Sequence, residues 1–507
     1  MKRLQLCMWG IIFLIVPELS VAQNYTERAI LNLSDIFTID DSLLTNNTDN
    51  AYFYKKPTRK TISSYPYKHD NVLHINSALS SNSNVLIIAN YLEYSKLSSI
   101  IKRYADDIHT SLGYGIDIEV VSNANYVNIK QCILSYTNNL VGAVLVGTID
   151  VAYFELPNDH SQYGYRNWPC DLYYMDLDGV WDDNDNNGIF DSHTGNVEPE
   201  IFIGRISAEN VGAQSDKIEI LEDFFNRDHL YWVSQSSQKT HKSLSYINND
   251  WENSNDIVFG IDKLYETENT IHYTPNRYSN FGKNDYCNNI ASTTYTIVQL
   301  AAHSSPQLHL FTNNLGNREY LYSNTINNID KKPIGYNLFC CSACNWKATS
   351  SSGYIGGAYL YGNKSSALFV VGSTKTGSML GFSDFYTPLN EGDCIGEAIV
   401  EWWKKYPNKF STTSKISWFY GLSILGDPLI KPYREKYCPN TIHLEVFDST
   451  NHSTNIYYRA SKKIIIDKNY VTSKGVKVTF DSPSISIENN FECSKGTMLE
   501  TRTNGCE

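Results

Sequence analysis

His303 directly follows a short apolar run, Tyr295–Ala302 (YTIVQLAA), and Cys344 stands near the end of another, Ile334–Asn345 (IGYNLFCCSACN). Runs of this length, rich in branched and aromatic residues, read as buried strands. Chemistry in a parallel α/β sheet collects at the carboxyl ends of strands, so a thiol and an imidazole roughly forty residues apart are expected in one crevice. That pair suits a cysteine nucleophile attacking a carbonyl, with His303 holding the proton and returning it to the leaving amine. Cys340 and Cys341 belong to the strand or its tip, whereas Cys344 lies past its end beside Asn345, where the backbone can turn and expose the sulfur; Cys344 is therefore the expected nucleophile. Backbone N–H groups of Ser304 and Cys344 are the expected oxyanion donors, and Asp250, at the end of the strand Ser243–Ile247, is the expected acid orienting the imidazole. A lone histidine or cysteine is usually structural; it is the two at matched strand ends that carry the reading.

Two other uses of the cysteines weigh less. Cys341-Ser-Ala-Cys344 is a C-x-x-C, but thiol oxidoreductases set that motif at the start of a helix in a small domain, and here it follows a late strand of a large one. A tetrahedral zinc site would need a distant second pair, and no second C-x-x-C exists in the sequence.

Between these strands and the amino terminus lies a loop crowded with carboxylates: Asp176, Asp178, Asp182, Asp183, Asp185 and Asp191. Asp183, Asp185, Asn187 and Gly188 match the opening of a calcium-binding loop, although its closing glutamate is replaced by Thr194. An Asx-rich turn is the plainer alternative. Carboxylates this dense repel one another without a counter-ion, so a structural calcium is expected, held by these aspartates and Asn187; no cofactor is expected in catalysis itself.

The elements that must position these groups follow from the rest of the chain. At 507 residues, with 42% hydrophobic and 19% charged residues, there is material for several globular domains. The net charge of -12 and the lack of basic runs exclude nucleic acid as a partner. Residues 1–22 have the layout of a secretory signal, basic at Lys2 and Arg3, apolar through Ile11–Val16, small at Ser20–Ala22, and no later stretch is long enough to span a membrane. A secreted or cell-surface protein is expected. Residues 23–83 read as a leader, pro-segment or edge element. Residues 84–235 alternate strand and helix and read as a first α/β subdomain with the Asp-rich loop; residues 236–434 read as a second, carrying His303 and Cys344. From 435 to 507 short alternating runs replace this pattern, as in a small all-β domain suited to binding or surface attachment.

The order of landmarks resembles the gingipain family of secreted cysteine peptidases, in the caspase-like clan. Leu145-Val-Gly147, Asp176-Leu-Asp-Gly-Val-Trp-Asp182, Glu200-Ile-Phe-Ile-Gly-Arg205, Ala302-His303-Ser304, Ala343-Cys344-Asn345 and Phe419-Tyr420 before Gly426-Asp427-Pro428 carry the resemblance, over roughly residues 84–432. It implies a caspase-like two-part parallel-sheet α/β region, and an endopeptidase acting on protein or peptide substrates through a thioester acyl-enzyme. His303 takes the place of the family's histidine, Cys344 its nucleophile and Asp250 its acid, where gingipains themselves have a glutamate. Asp256 is the expected floor of a specificity pocket and Ser373 and Thr374 its wall. A catalytically inactive binding relative and a C-x-x-C oxidoreductase are the alternatives.

Overall fold

A computed structural model describes residues 69–75, 83–136, 139–159, 164–212, 216–233, 241–265, 269–313, 315–407 and 416–432, and toward the carboxyl terminus 441–444, 455–459, 462–466, 471–472, 477–487, 492–493 and 497–503. The expected signal, residues 1–22, lies outside them. The chain forms two compact units. The smaller, Met1–Pro57 with Leu156–Arg166, is described only at 156–159 and 164–166, where the Asp159 N–H donates to the Gly164 carbonyl at 3.1 Å. The larger, Thr58–Glu155 with Asn167–Glu507, contains everything that follows.

Its centre is one eleven-stranded sheet. In chain order the strands are β1 (His69–Ile75), β2 (Asn84–Asn90), β3 (Gly115–Val121), β4 (Leu140–Val146), β5 (Phe202–Ile206), β6 (Ser243–Ile247), β7 (Thr270–Tyr273), β8 (Ile297–Ala301), β9 (Gly335–Phe339), β10 (Phe369–Ser373) and β11 (Leu422–Gly426). In space they run β1-β3-β2-β4-β5-β11-β10-β9-β8-β6-β7. All neighbours are parallel except β1 with β3 and β10 with β11. Every residue of β5, β6, β8, β9, β10 and β11 is buried, as expected of strands covered on both faces, and their near-continuous apolar runs follow from that. Regular structure starts earlier than the sequence implies: β1 lies along β3, so part of 23–83 is an edge element.

Among the described residues seven helices of seven residues or more accompany the sheet: α1 (Tyr91–Leu112), α2 (Tyr126–Leu134), α3 (Lys217–Val233), α4 (Lys283–Ser292), α5 (Ile355–Tyr361), α6 (Phe382–Asn390) and α7 (Ile395–Lys405). The Asn90 side chain caps α1 by accepting from Leu92 N–H at 2.8 Å, and Gly113, at φ 77°, ends it. Cys394 and Glu397 form a capping box at the start of α7, whose Ile395, Ala398, Ile399 and Trp402 are buried. Their i, i+3, i+4, i+7 spacing makes one apolar stripe along the helix.

Beyond Pro432 the described strands form only parallel pairs. Ile442 pairs with Ile464 and Ile464 with Ile485, so the chain returns to the same level after 22 and then 21 residues. Asn455, Lys477 and Met498 are related in the same way on a second face, and Val471 and Glu492 on a third. This is the pairing of a parallel β-solenoid. Ile464, Ile466, Val478 and Phe480 fill its interior, flanked by Ile442, Leu444, Tyr458 and Ile485.

Candidate active site

β8 and β9 lie side by side with Ala301 opposite Phe339, and the Ala302 N–H donates to the Phe339 carbonyl at 3.3 Å. His303 and Cys341 therefore each stand two residues beyond a matched pair, on chains that run about 4.8 Å apart in a sheet. His303 opens a hairpin, His303–Ser305 against Leu308–Thr312 and on to Arg318–Tyr322. Its Nε2 is 3.2 Å from Asp250 Oδ2, and the two side chains are 20% and 22% exposed. Asp250 sits in a single 3-10 turn, Asn249–Trp251, directly after β6. Buried Asn248 holds that turn in place: its N–H donates to the Ala301 carbonyl (2.9 Å), its Nδ2 to Asp250 Oδ2 (3.2 Å), and its Oδ1 accepts from Thr312 N–H (2.8 Å). The Trp251 ring packs 4.8 Å from His303 and 5.4 Å from Phe339, so these three groups share one side of the sheet.

The cysteines differ in burial. Cys340 is buried with its sulfur 3.8 Å from the Leu300 carbonyl. Cys341, two residues on from Phe339, is half-buried. The sequence leads one to expect an exposed sulfur at Cys344, but Cys344 is 0% exposed, and burial pushes its thiol far above the usual range. Its sulfur fills the space left by two glycines: a β-carbon would come within 2.7 Å of it at Gly372 and 3.1 Å at Gly356. The Cys344 N–H, expected to face an oxyanion, donates instead to the Ser373 carbonyl at 2.9 Å, and the Ser342 N–H to the Lys375 carbonyl at 2.8 Å. The physical reason is the turn after β9, where Ser342 adopts φ 56° and folds the chain back over β10. Ser304 is buried in the hairpin opposite His309, with its hydroxyl on the Leu308 carbonyl at 2.9 Å.

The residues expected to shape a specificity pocket lie elsewhere. Asp256 accepts from the N–H groups of Phe382 (3.1 Å) and Ser383 (3.3 Å) at the start of α6; burial raises its pKa and these bonds pull part of the shift back. Ser373 and Thr374 are sealed inside, the Thr374 hydroxyl donating to the Pro169 carbonyl at 2.7 Å.

The aspartate loop separates into two clusters. Asp176 is 0% exposed and accepts from Trp181 Nε1 (2.6 Å) and Gly179 N–H (2.7 Å), with His193 Nε2 at 2.8 Å; burial works against ionisation here, but the bonds from His193, Gly179 and Trp181 win and lower its pKa. Lys130 donates to the Asp176 carbonyl and to that of Tyr173 at 2.6 Å, so an ammonium group already stands beside the cluster Asp176, Asp178 and Glu200. In the second cluster, carboxylate oxygens of Glu155, Asp185 and Asp191 lie within 4.8 Å of one another, and Asn187 Nδ2 donates to both oxygens of Glu155 at 3.1 and 3.2 Å. Asp183 is occupied by the N–H groups of Asn187 (3.0 Å) and Gly188 (2.7 Å), and Asp182 pairs with Ser192 in a short hairpin. The second set fits a hard cation, with all-oxygen donors and a buried carboxylate in Glu155 that the loop's own spacing does not include.

Reading along the sequence missed Trp251 and Glu155, because each acts from outside the motif it serves. A tryptophan adjoining the expected acid was the one available sign of the first. It also missed Arg205 as a tie: its guanidinium is 2.7 Å from Asp171 Oδ1, donates to the Ile149 carbonyl at 2.9 Å, and lies 4.6 Å from the ring of Trp346, in the loop after Cys344.

Comparison with known proteins agrees with this architecture. The crystal structure of the Arg-specific cysteine proteinase gingipain R (RgpB) matches with a TM-score of 0.50 and 13% identity over 72% of this chain and 83% of that one. The complex of Porphyromonas gingivalis RgpB pro- and mature domains matches with a TM-score of 0.48 and 13% identity over 72% and 84%. No curated protein matches the sequence. Among the described residues no helix is long and apolar enough to cross a membrane. A family model, described as peptidase family C25, matches residues 78–433, and the chain belongs to that family, the gingipain family of cysteine peptidases.

Proposed function

We propose that the protein is a secreted endopeptidase that cleaves peptide bonds through Cys341 and His303, with Asp250 orienting the imidazole. The observation that carries this is the register of β8 with β9, which puts His303 and Cys341 at equal distances past Ala301 and Phe339. Cys341 replaces Cys344 as the nucleophile because it is the half-buried member of the trio and follows Phe339 by as many residues as His303 follows Ala301.

With Nε2 directed at Asp250, Nδ1 of His303 is the nitrogen that exchanges protons with the reacting groups. The Cys341 thiolate attacks the substrate carbonyl carbon and a sulfur–carbon bond forms. The carbon–nitrogen bond then breaks as His303 protonates the amine, leaving a thioester. Water, deprotonated by His303, attacks the thioester and releases the acid and the thiol. Asp250 keeps the ring in one orientation and stabilises its charged form.

Glu155, Asp185 and Asp191 are the donors we assign to a structural calcium ion, whose charge would relieve their mutual repulsion. Protein or peptide chains are the substrates implied by the family.

Labelling with a peptidyl electrophile, followed by mass spectrometry, tests the nucleophile. One modified residue at Cys341 is expected, with Cys341→Ser losing about 10⁴-fold or more of peptidase activity and Cys344→Ser staying within about tenfold of wild type. Labelling at Cys344 instead would return the reaction to that residue. A chain with neither labelling nor peptidase activity would be a binding relative that has lost catalysis.

A further inference from the structure

One short turn supplies His303 with two neighbours of different kinds. Asn249–Trp251 presents the Asp250 carboxylate to Nε2 at 3.2 Å and the Trp251 indole to the ring at 4.8 Å, tilted by 50°. Trp251 is 2% exposed, and Phe339 packs against it edge-on at 83°. The buried indole thus packs against both the histidine and the strand that leads to Cys341. Its backbone is fixed as well, the Trp251 N–H donating to the Asn248 carbonyl at 3.1 Å.

We propose that Trp251 is a positioning residue for the reaction, acting through His303. It limits rotation of the imidazole, so that alignment with Asp250 and with the thiol is retained between turnovers. Asp250, from the same turn, is the charged group paired with the ring. His309, on the neighbouring hairpin strand, is turned to Ser304 at 3.0 Å, and burial pulls its pKa down to about 3, so it stays neutral and adds no opposing charge. This inference rests on the reading of His303 as the acid and base of the site.

The test compares Trp251→Leu and Trp251→Phe with wild type. In Trp251→Leu, kcat falls about tenfold with KM nearly constant. Trp251→Phe, which keeps a ring against the imidazole, recovers most of kcat. The mobility of the His303 imidazole is also followed by NMR relaxation in the inactive Cys341→Ser background, with and without Trp251→Leu. A looser ring is expected there without any turnover. A folded Trp251→Leu protein whose kcat and ring mobility match those of the parent would overturn the proposal and reduce Trp251 to packing. Full activity in His303→Ala would instead remove the reading on which it stands, and the NMR arm separates the two cases.

Discussion

Asp228 and Asp427 are both wholly buried and act on each other. Tyr104 donates its hydroxyl to Asp427 Oδ1 at 2.7 Å, and Leu429 its N–H at 2.9 Å. Burial raises both carboxyls, with the charge of Asp427 adding to the effect on Asp228; for Asp427 the bonds from Leu429 and Tyr104 recover part, leaving it at about 6. A carboxyl raised in the native state holds its proton more tightly when folded. The stability it contributes is complete below its unfolded value of about 3.9 and is lost as pH rises through the native one. Thermal denaturation should accordingly show the advantage of wild type over Asp228→Asn shrinking as pH rises above about 4; a constant difference would rule out a raised Asp228 carboxyl. Such a pair cannot be read from sequence, because 199 residues separate two aspartates that look like any others. His303 and Asp250 were legible, since each closes an apolar run and strand ends share a crevice. The choice among Cys340, Cys341 and Cys344 was not, because alternation of faces holds only while the chain stays extended, and the positive φ of Ser342 ends it.

For the elements, the aspartate loop was recognisable by composition, while its partner Glu155 was not, because it arrives from a different segment. If the cluster of Glu155, Asp185 and Asp191 holds calcium, millimolar calcium raises Tm relative to a chelator, and Glu155→Gln abolishes the difference without altering the stability of the chelated protein by more than about 1 kcal/mol. Equal melting curves with and without calcium would argue for a network held by hydrogen bonds alone. The solenoid was legible as short strands but not as a repeat. Its signal is the return of Ile442 at Ile464 and Ile485, weak because only three turns lie among the described residues. Phe480 stacks on Tyr458 at 5.7 Å inside it. Phe480→Ala should cost about 3 kcal/mol or more, making residues beyond 441 sensitive to proteolysis while peptidase turnover is unchanged. A fall in turnover would mean that the solenoid supports the site.

Across the whole molecule the two halves read from the sequence are one sheet, and Arg205 ties them at the site. It leaves β5 in the first half, pairs with Asp171 and faces Trp346 in the loop that follows the cysteines of the second. Removing one partner of a buried ion pair leaves the other uncompensated, at about 3–5 kcal/mol. Arg205→Met should lower the free energy of unfolding by that amount and turnover with it, whereas the double variant Arg205→Met/Asp171→Leu regains stability but not turnover, since the guanidinium over Trp346 stays absent. Denaturant titration and initial rates on one preparation measure both. Neither the pairing nor the contact was visible in the spacing, as both span more than thirty residues.

The position of β11 has a consequence for biosynthesis. It is sixth of eleven in the sheet, between β5 and β10, yet it is the last sheet strand to leave the ribosome. Until Leu422–Gly426 emerges, β1–β5 and β6–β10 have no strand to join them, and the nascent chain holds two separate platforms with open edges. The two halves must therefore stay apart without aggregating until that strand arrives and welds them.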